Sequence, residues 1–107
     1  MQIFELSKKF PREEGYSLTS QIRRSSRSVA SNIVEAWRKR RYEQAFIAKL
    51  SDADAEAAET EVHIEFAVRC GYISRTEGAD LYRTYEGLLR TIVALIRHAD
   101  QWATLSK

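Results

Sequence analysis

The chain has 107 residues, 17 Lys and Arg against 15 Asp and Glu, and a formal net charge of +2, which fits one folded domain over residues 1–107 and leaves no room for a second catalytic one. One proline and four glycines are few for a turn-rich sheet architecture, so the expectation is all-α. No run approaches the roughly 18 apolar residues that span a bilayer, MQIFELSKKFP lacks a signal-peptide hydrophobic region, and the lone Cys70 has no internal disulfide partner; these features exclude a membrane partner and point to a cytoplasmic protein.

Met1 to Lys9 reads as two or three helical turns, ended by Phe10-Pro11, where proline breaks the pattern. Residues 12–17 form the connector, with Gly15 and Tyr16 supplying the turn and Ser17 capping the next helix. That second helix runs from Leu18 to about Lys39 without glycine or proline. It carries three stripes at helical spacing. Leu18, Ile22, Val29 and Ile33, with the small Ser26 and Ala36, are apolar. Gln21, Ser25, Ser28, Asn32 and Glu35 form a polar line expected to be buried as an inter-helix or inter-subunit hydrogen-bond network, with Gln21, Asn32 and Glu35 organising subunit packing. Arg24, Arg27, Arg38 and Arg41 lie on the far side.

From Tyr42 to Cys70 one long helix is predicted. Phe46, Leu50, Ala53, Ala57, Thr60, Ile64 and Ala67 step alternately by four and three residues, a heptad seam with small residues in its middle, and Ala55 and Ala58 add further room for a close partner. Cys70 is expected to be half-buried near the helix end. Gly71 stands where a left-handed C-cap is wanted, and Ser74 with Glu77 makes a capping box opening the last helix. Along that helix Tyr85, Ile92 and Ala99, then Leu81, Leu88, Leu95 and Trp102, then Tyr82, Leu89, Ile96 and Ala103 define a broad apolar face, with Arg83, Arg90 and Arg97 in register outside it. A face this wide suits a bundle interior plus an interface.

Charge is unevenly distributed. Residues 17–41 carry seven Lys or Arg against Glu35, while residues 42–66 carry seven acids against Lys49. Neighbouring blocks of opposite sign are able to neutralise one another across a helix pair, which reduces the field left for a polyanion.

Three chemistries were weighed. A carboxylate-bridged metal site needs Glu-x-x-His spacing, but Thr60 precedes His63 by three and Glu59 by four, so neither a metal nor another cofactor is expected. Ser25, Ser26, Ser28 and Ser31 sit in mid-helix, with no nucleophile elbow or P-loop in the chain, so no catalytic residue is assigned. Arg24, Arg27, Arg38, Lys39, Arg40 and Arg41, with Arg83, Arg90 and Arg97, are the candidate phosphate contacts. The structural alternative is a solvated face paired with the acidic helix, and the run at 38–41 also suits a helix C-terminus, where cations meet the dipole.

The run FPREEGYSLTSQIRRSSRSVASNIVEAW, followed by an acidic, alanine-rich helix ending in VRCGYI, resembles the four-helix-bundle family encoded by intervening sequences in bacterial 23S ribosomal RNA genes. The same family includes the accessory variability determinant of diversity-generating retroelements. The resemblance implies an antiparallel up-down four-helix bundle with a short first helix, assembled into a ring-like homo-oligomer, with a pentamer as the implied state. In the retroelement branch it implies a basic surface that engages a reverse transcriptase and nucleic acid. The matching positions are Phe10, Pro11, Glu14, Gln21, Arg23, Arg24, Ser28, Asn32, Ile33 and Glu35, none implied to be catalytic. Two features depart from the pattern: Ala36 replaces the usual glycine, and the first helix is shorter than the family norm. The expected function is that of a non-enzymatic oligomeric accessory protein binding RNA or DNA, with a protein-interaction scaffold indifferent to nucleic acid as the rival.

Overall fold

The computed structural model describes residues 2–15 and 17–105, and only the backbone of Leu105. It is all-helical among those residues: α1 Gln2–Ser7, a 3-10 turn Arg12–Glu14, α2 Leu18–Arg38, α3 Glu43–Arg69, α4 Arg75–Arg97 and α5 Ala99–Leu105. The connectors between α2, α3 and α4 are short, so consecutive helices run antiparallel. Helix α3 lies in the middle, packed against α2 on one side and α4 on the other.

The seam of α3 is buried along its whole length. Phe46, Leu50, Ala53, Ala57, Thr60, Ile64 and Ala67 all lie in the interior, and Thr60 Oγ1 is 2.8 Å from Ser25 Oγ of α2, so the one hydroxyl in the seam meets another and is not stranded. Two apolar clusters flank this point. One gathers Ile3, Phe10, Leu18, Ile22, Ile64 and Leu81; the other gathers Ala36, Phe46, Leu50, Ala53, Ile92 and Ala99. Ala36 is fully buried within uninterrupted α2, so its methyl is accommodated without a bend.

Helix ends follow the local chemistry with one exception. Gly71 has φ +75°, the left-handed region that favours glycine. Its N–H reaches the Val68 carbonyl while that of Tyr72 reaches Ala67, a Schellman closure. Ser74 and Glu77 form the reciprocal capping box. Ser17 does occupy the N-cap of α2 and its hydroxyl donates to Glu14 Oε1 at 2.7 Å, but it accepts no backbone N–H; its ψ of −103° lies outside the extended region in which an N-cap side chain faces the first turn. Tyr16, expected in that turn, falls outside the described residues.

The last helix is not continuous as expected. Its final segment breaks at His98, with φ −109° and ψ 24°, and resumes as α5. Helix α3 still runs alongside this segment, with Ser51 and Asp54 beside Arg97, and α5 continues to pack on it. The break turns Ala99 and Ala103 inward and sets the Trp102 ring edge-on to Trp37, with centroids 5.4 Å apart.

At the other end, α1 spans six residues, about 9 Å of helix, and is held to α2 by Arg23. The Arg23 Nε donates to Ser7 Oγ at 2.7 Å, the Ser7 hydroxyl donates to the Phe4 carbonyl at 2.8 Å, and the guanidinium carbon lies 4.4 Å from the Phe4 ring centroid. Beyond α1 the apolar faces of α2 and α4 remain apart and leave a cleft of about 350 Å³ lined by Phe4, Arg27, Tyr85 and Leu88.

Because Ala57 sits in the close α2–α3 approach with no exposed surface, Ala57→Leu should destabilise the fold by about 1–3 kcal/mol through overpacking. Urea denaturation should show it as a lower midpoint with an unchanged slope.

Candidate nucleic-acid interface

The structure separates the nine candidate cations into engaged and free groups. Arg24 crosses to α3, with Nη2 3.2 Å from Glu59 Oε1 and Nη1 3.9 Å from Glu56 Oε1. Arg83 lies 3.6 Å from Asp80 on its own helix. Arg27 stands on the cleft beside α1. The other charge crossing of α2 and α3 runs the opposite way, Lys49 Nζ to Glu35 at 2.9 Å, and this hydrogen bond holds the Glu35 carboxyl below its ordinary range. The acidic helix therefore neutralises Arg24 alone among the α2 candidates.

Arg38, Lys39, Arg40 and Arg41 close α2 and form the turn into α3. Antiparallel packing directs α4 toward the same end of the molecule, with Arg97 set back beside Ser51 and Asp54 of α3. None of these five cations has a carboxylate at ion-pair distance among the described residues. Arg90, likewise unpaired, is two turns back along α4. Arg40 Nη1 donates to the Trp37 carbonyl at 2.9 Å and its guanidinium lies 4.3 Å from the Trp37 ring centroid, while that of Arg41 lies 6.0 Å from Tyr42. Trp37 and Tyr42 were absent from the predicted site, although the string W-R-K-R-R-Y displays them in the sequence.

The polar line of α2 divides. Ser25 is buried against Thr60; Ser28 and Asn32 are half-buried, with Asn32 Nδ2 donating to the Ser28 carbonyl at 2.9 Å. Gln21 and Glu35 are exposed, so within one chain the line is not the continuous buried network expected: the α3 seam reaches only its middle. Cys70 is likewise exposed, because the turn at Gly71 carries it to the surface. His63 is buried, with Nε2 3.4 Å from Glu59 Oε1, and no group of three or more potential metal ligands occurs among the described residues.

One carboxylate pair stands out between α3 and α4. Glu61 faces Glu86, and burial, followed by that second carboxylate, pushes the Glu61 carboxyl up to about 7. Glu86 also raises the Tyr82 phenol.

The fold and its surface define a small all-α protein with three long packed helices and a basic end; no helix among the described residues is long and apolar enough to cross a membrane. The family model of the 23S rRNA-intervening sequence proteins matches residues 1–94, and the chain belongs to that family. A crystal structure of a protein of unknown function from the S23 ribosomal protein family of Bacteroides thetaiotaomicron is similar, with a TM-score of 0.79 and 30% identity over 88% of this chain and 87% of that one. No functionally curated protein matches.

The Glu61 carboxyl binds its proton more tightly folded than unfolded, where its value is the ordinary 4.5. Between these values the folded state holds more protons, so stability should fall as pH rises from about 4.5 to about 7. Glu61→Gln should flatten that slope and raise the melting temperature above the parent's at about pH 8, as thermal unfolding across the range would report.

Proposed function

We propose that the protein is a non-enzymatic, homo-oligomeric accessory protein that binds RNA or DNA through its basic end. The observation carrying this reading is the run of Arg38, Lys39, Arg40 and Arg41 at one end of the bundle, with Arg97 set back along α4, all without carboxylates at ion-pair distance among the described residues. Cations so placed are available to phosphates, and their release of counterions makes binding strong at low salt and weak at high salt. Nothing there reads base edges, so sequence preference is small. The nucleic acid would be that of an rRNA-associated process or of a reverse transcriptase, which is then a protein partner as well.

The oligomer rests on a second stripe of α3. Ala48, Ser51, Ala55, Ala58, Val62 and Phe66 recur every three or four residues on its outer face, and all are exposed. Val62 retains 49% and Phe66 54% of their surface. A seam of small residues ending in two bulky apolar ones matches the seam buried on the opposite side of the same helix, and another copy of the chain covers it in the way α2 covers its counterpart. The pentamer is the state the family resemblance implies.

A gel-shift titration at about 50 mM salt should retain both RNA and DNA. Replacing Arg38 and Arg41 together with Gln should weaken retention and reduce the salt slope by about 2. Absence of any retention would favour the scaffold reading, which draws its support from the engagement of Arg24 by Glu56 and Glu59. In that reading charge reversal at Arg24 and Arg27 disrupts the assembly. Independently, Phe66→Glu should shift the mass measured by light scattering toward the monomer.

A further inference from the structure

The basic end carries two exposed aromatic rings that phosphate binding does not require. Trp37 keeps 45% and Tyr42 62% of its surface. Packing accounts for only part of Trp37, whose ring meets the Trp102 edge, and leaves Tyr42 at the N-cap of α3 unexplained. Each ring has a guanidinium over it, Arg40 on Trp37 and Arg41 on Tyr42. The nearby acids do not compete for this surface: Glu35 is engaged by Lys49, and Glu43 starts the first turn of α3, where a carboxylate suits the helix dipole.

Trp37 and Tyr42 stand five positions apart, with Cα atoms at most about 18 Å apart, a span that one strand of a few nucleotides covers. Aromatic faces beside cations are the chemistry that holds unpaired bases: the ring stacks on any base and the cations follow the backbone. In a duplex the base faces are already occupied by their neighbours, so the same rings gain nothing from it. We infer that Trp37 and Tyr42 form a stacking platform for unpaired bases, and that Arg38, Lys39 and Arg41 hold the adjoining phosphates, so single-stranded nucleic acid binds more tightly than duplex, which meets the cations alone. This rests on the nucleic-acid reading above and adds to it the strand state of the ligand. Arg40 lies over the Trp37 face as a guanidinium lid that an incoming base displaces or sandwiches.

The full chain has two tryptophans, so a Trp102→Phe background leaves Trp37 as sole reporter. Titration with oligouridylate or oligothymidylate of about 12 nucleotides should quench Trp37 emission, and a duplex of equal length should not; the two oligonucleotides distinguish RNA from DNA as the source of the bases. By fluorescence anisotropy with labelled strands, Trp37→Ala and Tyr42→Ala should each weaken single-strand binding about tenfold, with duplex binding and the salt slope unchanged. Trp37→Ala removes a packing contact, so Tyr42→Ala, at an exposed position, carries the test if the first variant unfolds by circular dichroism. Single-strand binding with no Trp37 quenching and no loss in Tyr42→Ala would overturn the platform while leaving nucleic-acid binding intact. No binding to any strand would overturn both.

Discussion

The close approach of α2 to α3 is the constraint on which the rest of the structure depends. It is set by Ala53, Ala57 and Thr60 in the middle of the α3 seam, where larger side chains would force the helices apart, and is fixed in register by the Thr60 to Ser25 hydroxyl contact. A polar pair at one seam position contributes little net stability once desolvation is counted. Its value is discrimination: a shift of one helical turn would lose this contact and leave each hydroxyl only a carbonyl of its own helix, Glu56 for Thr60 and Ile22 for Ser25. The apolar clusters on either side then fall into place, and the direction of every later element follows from the antiparallel turn at residues 39–42.

Central placement of α3 has a consequence for the charge pattern. The helix is acidic overall, but its carboxylates reach α2 at only one cation, Arg24, and reach α4 as a pair of acids, Glu61 against Glu86. Equal and opposite blocks in sequence therefore do not cancel in space. The cations at the end of α2 lie beyond the start of the acidic stretch, because Asp52 is the first acid of α3 after Glu43.

Much of this was legible in the chain before any coordinates. The heptad seam, the Gly71 cap and the Ser74 capping box depend on side chains three or four residues apart, and local spacing determines them. What escaped the sequence depends on contacts between distant residues. The break at His98 goes with the pairing of Trp102 and Trp37, residues far apart in the chain, and no local signal marks it. The polar line from Gln21 to Glu35 was regular enough to look like one network, but a straight helix touches its neighbour over a narrow arc, so only Ser25 is fully buried. Among the candidate cations, sequence offered nine equivalent positions; distances to carboxylates on other helices were needed to set Arg24 and Arg83 apart from Arg38, Arg41 and Arg97. Trp37 and Tyr42 were in plain view, yet an aromatic next to an amphipathic helix end reads as core until its exposure is known.

The basic end also carries more charge than folding can use. A helix C-terminus presents roughly half a negative charge, which one cation neutralises; a neighbouring cation then gains little from the dipole and meets repulsion from the first. Four consecutive cations at residues 38–41 therefore cost stability in the isolated chain, by an amount that solvent screening keeps small. In the proposed function, phosphates of the bound strand would supply the missing negative charge. On that proposal the aromatic rings set among these cations favour a nucleic acid over a carboxylate-rich protein surface, because a nucleotide presents a phosphate and a ring together.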